Sequence, residues 1–221
     1  MFGCLVLLTC YFVYDICQAL YEGWEMRQPR ELVQYHENLY FYGDVSDEGL
    51  QWHFDGLALI PDWLVSHYHD AGGNVFLTDT MFFPLARDFP ERDVWGMFWT
   101  GNNGDAPEIW IYHNKYATFT SAHEFGHYLD YILETVSKNK EFEKVFDKEL
   151  DSFLRFYEGN SAFSYPVLHG AFPTPEEYFA EFFTWYCIGQ TDSSHRSSLI
   201  EKCPETYVFF DEMLDGLEMS Y

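Results

Sequence analysis

Basic residues are scarce in this chain: 12 Lys and Arg stand against 36 Asp and Glu, for a formal charge of −24 over 221 residues. So acidic a composition argues against sequence-independent binding to nucleic acid or to an anionic membrane, both of which need clustered cations. Long apolar runs are missing too. The longest, Leu5 to Tyr14, has ten residues, too few to cross a bilayer. There are no internal repeats, low-complexity stretches or long linkers, which excludes solenoid and tethered architectures. Cysteine is sparse, with five in all. Three of these, Cys4, Cys10 and Cys17, lie in the first seventeen residues, leaving Cys187 and Cys203 as an even pair that could bridge in an oxidising compartment. Leu5–Tyr14 followed by Cys17-Gln18-Ala19 reads as a secretory leader over residues 1–19, although no Lys or Arg precedes the run. The expectation is therefore a secreted chain whose working domain spans residues 20–221.

What the sequence has in abundance is aromatic side chains, 21% of all residues. The core and any cleft should be built from Phe, Tyr and Trp. A helix is predicted near Gln28–Tyr40, then a Gly- and Asp-rich loop to about Gly56. A second helix is predicted over Pro61–Ala71, stopped by Gly72-Gly73. Strands are predicted at Asn74–Thr78, Val94–Thr100 and Glu108–His113, where aromatic and β-branched residues dominate. Helices should follow from Thr118 or Thr120 to about Val136, and over Lys138–Tyr157, Thr174–Ile188 and Glu205–Gly216. Strands before and helices after make an α+β domain.

Within the first of those later helices stands His123-Glu124-Phe125-Gly126-His127. Two imidazoles four residues apart on a helix share one face and can bind one zinc ion, while Glu124 can hold a water against it. Gly126 costs the helix about 1 kcal/mol relative to Ala. That cost makes sense where the metal or a neighbouring backbone comes close. A catalytic zinc needs three protein ligands and an open position. A third His six residues beyond the pentad is ruled out because that position is Leu133, and Asp130 suits a supporting role better than ligation.

The third ligand should come from another helix, and Thr174–Phe183 is the best place for it. Thr174 suits the N-cap and Pro175 the first helical position. Glu177 and Glu181 share a narrow face framed by Tyr178, Phe179, Phe182 and Phe183. Glu177 reads as a zinc ligand or as an ordinary capping box; Glu181 as a carboxylate that orients a ligand histidine, or as part of a solvated face.

The pentad with Asp130 beyond it, and Glu177-Tyr178-Phe179-Ala180-Glu181-Phe182-Phe183 some fifty residues later, resemble the anthrax lethal factor catalytic domain and the related Pro-Pro endopeptidases. The resemblance covers roughly Leu57 to Leu217 and is strongest from Ala122 to Tyr186. It implies a zincin-type fold and zinc-dependent cleavage of a peptide or protein substrate. His123, His127 and Glu177 would ligate Zn2+, Glu124 would be the general base, and Glu181 would support a ligand. The family also places a Tyr hydroxyl seven residues before the ligand Glu. Here that position is Gly170, so Tyr165, or else His169, is the expected oxyanion donor. The Glu108–His113 strand is the expected edge for substrate pairing, with Trp95, Phe98, Trp99 and Trp110 lining subsites. A zincin-fold binding or effector protein is the competing reading, and a structural pentad without metal the third.

Overall fold

Asn74–Thr78 and Glu108–Tyr112 alternate sides residue by residue, and together they form the middle of a five-stranded sheet. The computed structural model describes residues 31–80, 95–100, 106–159 and 174–218. The proposed leader, Tyr165, His169 and Gly170 lie outside the described residues. The strands are β1 (Leu32–His36), β2 (Leu39–Tyr42), β3 (Asn74–Thr78), β4 (Gly96–Trp99) and β5 (Glu108–Tyr112), in the order β1-β2-β3-β5-β4. β2, β3 and β5 run parallel, and β1 and β4 pair antiparallel at the two edges. The helices are α1 (Asp47–Leu57), α2 (Asp62–Asp70), α3 (Ala117–Ile132), α4 (Lys140–Gly159), α5 (Pro175–Thr191), α6 (Ser193–Lys202) and α7 (Pro204–Glu218). The chain is α+β, as expected.

Two N-terminal expectations are overturned. The described part of the helix expected near Gln28–Tyr40, from residue 31 on, instead belongs to the β1–β2 hairpin. Asn38 takes a left-handed turn (φ 61°), which suits Asn and a tight hairpin and interrupts any helix. Tyr35 then stacks on Phe41 across the strands at 4.6 Å, and β2 gains a partner in β3. The expected loop up to Gly56 is largely helix α1. Ser46 caps it by accepting from the Gly49 N–H at 3.0 Å, and Asp47 and Glu48 occupy the first turn, where the helix dipole favours acids. Helix α6, polar along most of its length, was not anticipated; the Asp192 side chain caps it.

The sheet has two apolar faces. Val75, Leu77, Ile109 and Ile111 join the main core with Ala122, Phe125 and Leu129 of α3. On the opposite face Phe76 stacks on Trp110 at 4.2 Å, among Tyr40, Tyr42, Met97 and Tyr112. α5 is buried nearly all round, with Tyr178, Phe179, Phe182, Phe183 and Trp185 each at most 1% exposed. A helix of that kind belongs to the centre of a core rather than its skin. Cys187 and Cys203 are buried free thiols, so the bridge considered for them is not formed. Among the described residues no helix is long and apolar enough to cross a membrane.

Candidate metal centre

α3 starts at Ala117, slightly ahead of the expected Thr118 or Thr120. Its entry is fixed by the Asn114 side chain, which accepts from the Tyr116 N–H at 2.7 Å. One turn separates His123 from His127, and their Nε2 atoms converge to 3.1 Å. α5 crosses α3 at Gly126. A Cβ on that residue would lie 2.7 Å from Ala180 Cα and 2.9 Å from Ala180 O, so only glycine admits the other helix's backbone this closely. The close neighbour is therefore a backbone, one of the two possibilities the pentad raised.

That crossing brings the carboxylates to the imidazoles. Thr174 Oγ1 caps α5 by accepting from the Glu177 N–H at 3.3 Å. The Glu177 side chain reaches across to α3 instead of closing a capping box. Its Oε2 is 3.3 Å from His123 Nε2 and its Oε1 is 3.6 Å from His127 Nε2. His123, His127 and Glu177 each offer a ligand atom within 4.8 Å of the others. Glu181 does not lie on a solvated face: its Oε2 accepts from His123 Nδ1 at 3.0 Å and its Oε1 from the Trp185 indole N–H at 3.1 Å. A carboxylate at Nδ1 requires the proton there, so that Nε2 is the nitrogen left to bind a metal once any proton on it is displaced.

The electrostatics describe a tightly coupled group. Burial alone would lower the His123 pKa, but hydrogen bonds to Glu177 and Glu181 lift it well above the ordinary value. Burial pushes Glu177 up, and the two imidazoles more than reverse this, holding it far below the usual carboxylate range. Glu124 is shifted upward, chiefly by burial, against the opposing pull of His123 and His127. Two imidazole nitrogens and a carboxylate suit a borderline-soft divalent cation such as zinc. Nitrogens bound at roughly 2.0–2.1 Å in a tetrahedral arrangement stand about 3.3 Å apart. The 3.1 Å between the two Nε2 atoms is close to that spacing.

Glu124 lies between α3 and strand β4, 4% exposed, and hydrogen-bonds the backbone N–H of Phe98. A Cβ at Gly96 would overlap both the Glu124 carboxylate and the Thr120 methyl group. β5 is not the free edge expected for it, because β4 pairs along it; among the described residues β4 is the edge strand beside α3. The Tyr112 N–H donates to the Trp95 carbonyl at 2.8 Å. Antiparallel alternation then turns the polar backbone groups of Gly96 and Phe98 outward. Trp110 sits in the cluster on the far face of the sheet, away from α3, and Trp99 is out of phase with Phe98. Phe98 packs edge-on to Tyr128 at 5.9 Å, and Trp95 stacks on Tyr116 at 4.5 Å. Asp130 is no ligand. It accepts from the Ser137 N–H at 2.8 Å and hydroxyl at 2.6 Å, locking the exit of α3. Sequence reasoning missed β4 as the edge, though Gly96 inside an aromatic strand is the kind of signal that marks a close approach.

The family model described as anthrax toxin lethal factor, N- and C-terminal domain, matches residues 91–213, more than half of the chain. A Pro-Pro endopeptidase from Clostridioides difficile (strain 630) is 35% identical over 92 residues, 41% of this chain and 35% of that protein. The chain thus matches about a third of that relative's length. The solved structure of the Pro-Pro endopeptidase PPEP-2 from Paenibacillus alvei is similar with a TM-score of 0.53 at 19% identity. The likeness covers 80% of this chain and 97% of that one, and it is a likeness of fold.

Proposed function

The chain belongs to the anthrax toxin lethal factor family, and from that premise we propose that it is a zinc-dependent endopeptidase. The observation that carries the reading is the convergence of His123 Nε2, His127 Nε2 and the Glu177 carboxylate on one point, with Glu124 alongside. Bound there, zinc supplies Lewis acidity to a scissile carbonyl and lowers the pKa of a water. Glu124, whose own pKa is raised by burial, accepts the proton of the attacking water and passes it to the leaving amine. Glu181 holds His123 in the tautomer that ligation requires. The outward backbone groups of Gly96 and the Phe98 carbonyl pair with an extended peptide, adding it to the sheet edge, while the Phe98 N–H stays with Glu124. Tyr165 or His169 donates to the developing oxyanion, a contact worth about 3–4 kcal/mol where such donors have been removed. Basic–hydrophobic and proline-rich peptides are the substrates to try first, the former for the acidic surface and the latter for the relatives' names.

Glu124→Gln tests the reading. The variant should keep stoichiometric zinc and lose all cleavage of a peptide library that contains both substrate classes. Wild type and variant behaving alike in that assay would overturn it.

A further inference from the structure

We propose that Trp185 is a positioning residue for the metal centre, acting through Glu181 on His123; this rests on the metal-site reading above. A carboxylate held at one oxygen still turns about its terminal bond, a torsion with broad wells. Glu181 is held at both. Oε2 takes the His123 Nδ1 proton at 3.0 Å and Oε1 takes the Trp185 Nε1 proton at 3.1 Å. Glu181 and Trp185 are four residues apart on α5, the spacing that puts side chains over one another on a helix face.

The indole is itself immobilised. Trp185 is 1% exposed. Phe156 of α4 meets it edge-on at 5.1 Å, Phe119 of α3 lies at 6.2 Å, and His195 of α6 lies at 5.6 Å. Three helices thus fix the ring, the ring fixes the carboxylate, and the carboxylate fixes which imidazole nitrogen faces the metal. Hydrogen bonds to a charged acceptor are short and directional, so the donor's placement passes along the chain. Loss of such an outer partner costs roughly 10–100-fold in metal affinity, and a partner one step further out belongs at the low end of that range.

The experiment replaces the indole N–H with sulfur by placing benzothienylalanine at position 185, which keeps shape and volume, with Trp185→Phe as a second variant. Zinc affinity is measured by chelator competition. Exchange protection of the His123 Nδ1 proton is measured by NMR in the metal-free protein. Phe156→Leu loosens the same packing and retains the donor. The expected result is roughly tenfold weaker zinc binding and a faster-exchanging Nδ1 proton in both position-185 variants. In Phe156→Leu, which removes one of three ring contacts and keeps the N–H donor, the proton should stay better protected than in either position-185 variant. Benzothienylalanine protein with wild-type zinc affinity and wild-type protection would overturn the proposal. If wild type bound no zinc the metal reading would fail instead, and the proton's exchange alone would still decide the role of Trp185.

Discussion

Gly126→Ala puts the smallest possible wedge into the crossing that assembles the site. The new methyl would lie 2.7 Å from Ala180 Cα, 2.9 Å from its oxygen and 3.2 Å from its carbonyl carbon, all backbone atoms that no rotamer change can move. Carbon contacts are comfortable near 3.5–4.0 Å, so α3 and α5 must part by about 1 Å. Two stability effects oppose each other. Alanine improves helix propensity by about 1 kcal/mol, and overpacking costs about 1–3 kcal/mol. The net change in folding stability should therefore be a loss of no more than about 2 kcal/mol. The site has no such compensation, because Glu177 and Glu181 flank Ala180 and move with it. A displacement of that size is worth about 100-fold in rate, and at least tenfold weaker zinc binding should accompany it. Urea unfolding of the metal-free protein, chelator competition and peptide hydrolysis read the three quantities separately. An alanine variant that binds zinc and cleaves peptide like wild type would refute the reasoning.

Gly96→Ala should act on Glu124, the proposed base, rather than on the proposed ligands. The added methyl displaces Glu124 from beneath β4, so hydrolysis should fall by about 100-fold while zinc affinity stays within a few-fold of wild type. Equal loss of both would count against placing Glu124 beside the edge strand. His53, 1% exposed, gives a pH signature. Ser121 Oγ donates to the Ala117 carbonyl at 2.7 Å and lies 2.9 Å from His53 Nδ1, which must then be the donor of that pair. Burial lowers the His53 pKa from 6.5 to about 4. Between those values the unfolded chain takes up a proton that the folded one refuses. The contribution is full above pH 6.5 and is lost as the pH falls towards 4, about 3 kcal/mol in all. His53→Gln should flatten that part of the stability–pH curve relative to wild type; an unchanged slope would show that His53 is not held neutral.

The meeting of the candidate site's side chains was legible because its signals are local and redundant. The pentad spacing, the Thr174-Pro175 helix start and two acids framed by aromatics each point to one face of one helix, and α3 and α5 deliver all three. The β1–β2 hairpin was not legible, since its residues are exposed on β1 and show no alternation to separate strand from helix; only Asn38 marks the turn. α1 was mistaken for loop because Gly49 and Gly56 read as breakers. Both are buried in the helix, and a Cβ on Gly56 would strike the Thr118 backbone, so that glycine records packing against α3 rather than a turn. The edge strand was misassigned because strand order is a property of pairing that lies outside any short window. The Trp185 link needed coordinates too, since nothing in a sequence says which acid an indole will face.

Some fifty residues, including all of α4, separate His127 from Glu177. An ion gripped by both would tie that stretch into a closed ring, as a crosslink does, and a loop of this length loses about 4 kcal/mol of chain entropy in the unfolded state when so tied. The metal would then be a removable clasp on the tertiary structure as well as a reagent. The melting temperature should climb with free zinc, and a chelator should leave a chain that is easier to digest as well as inactive.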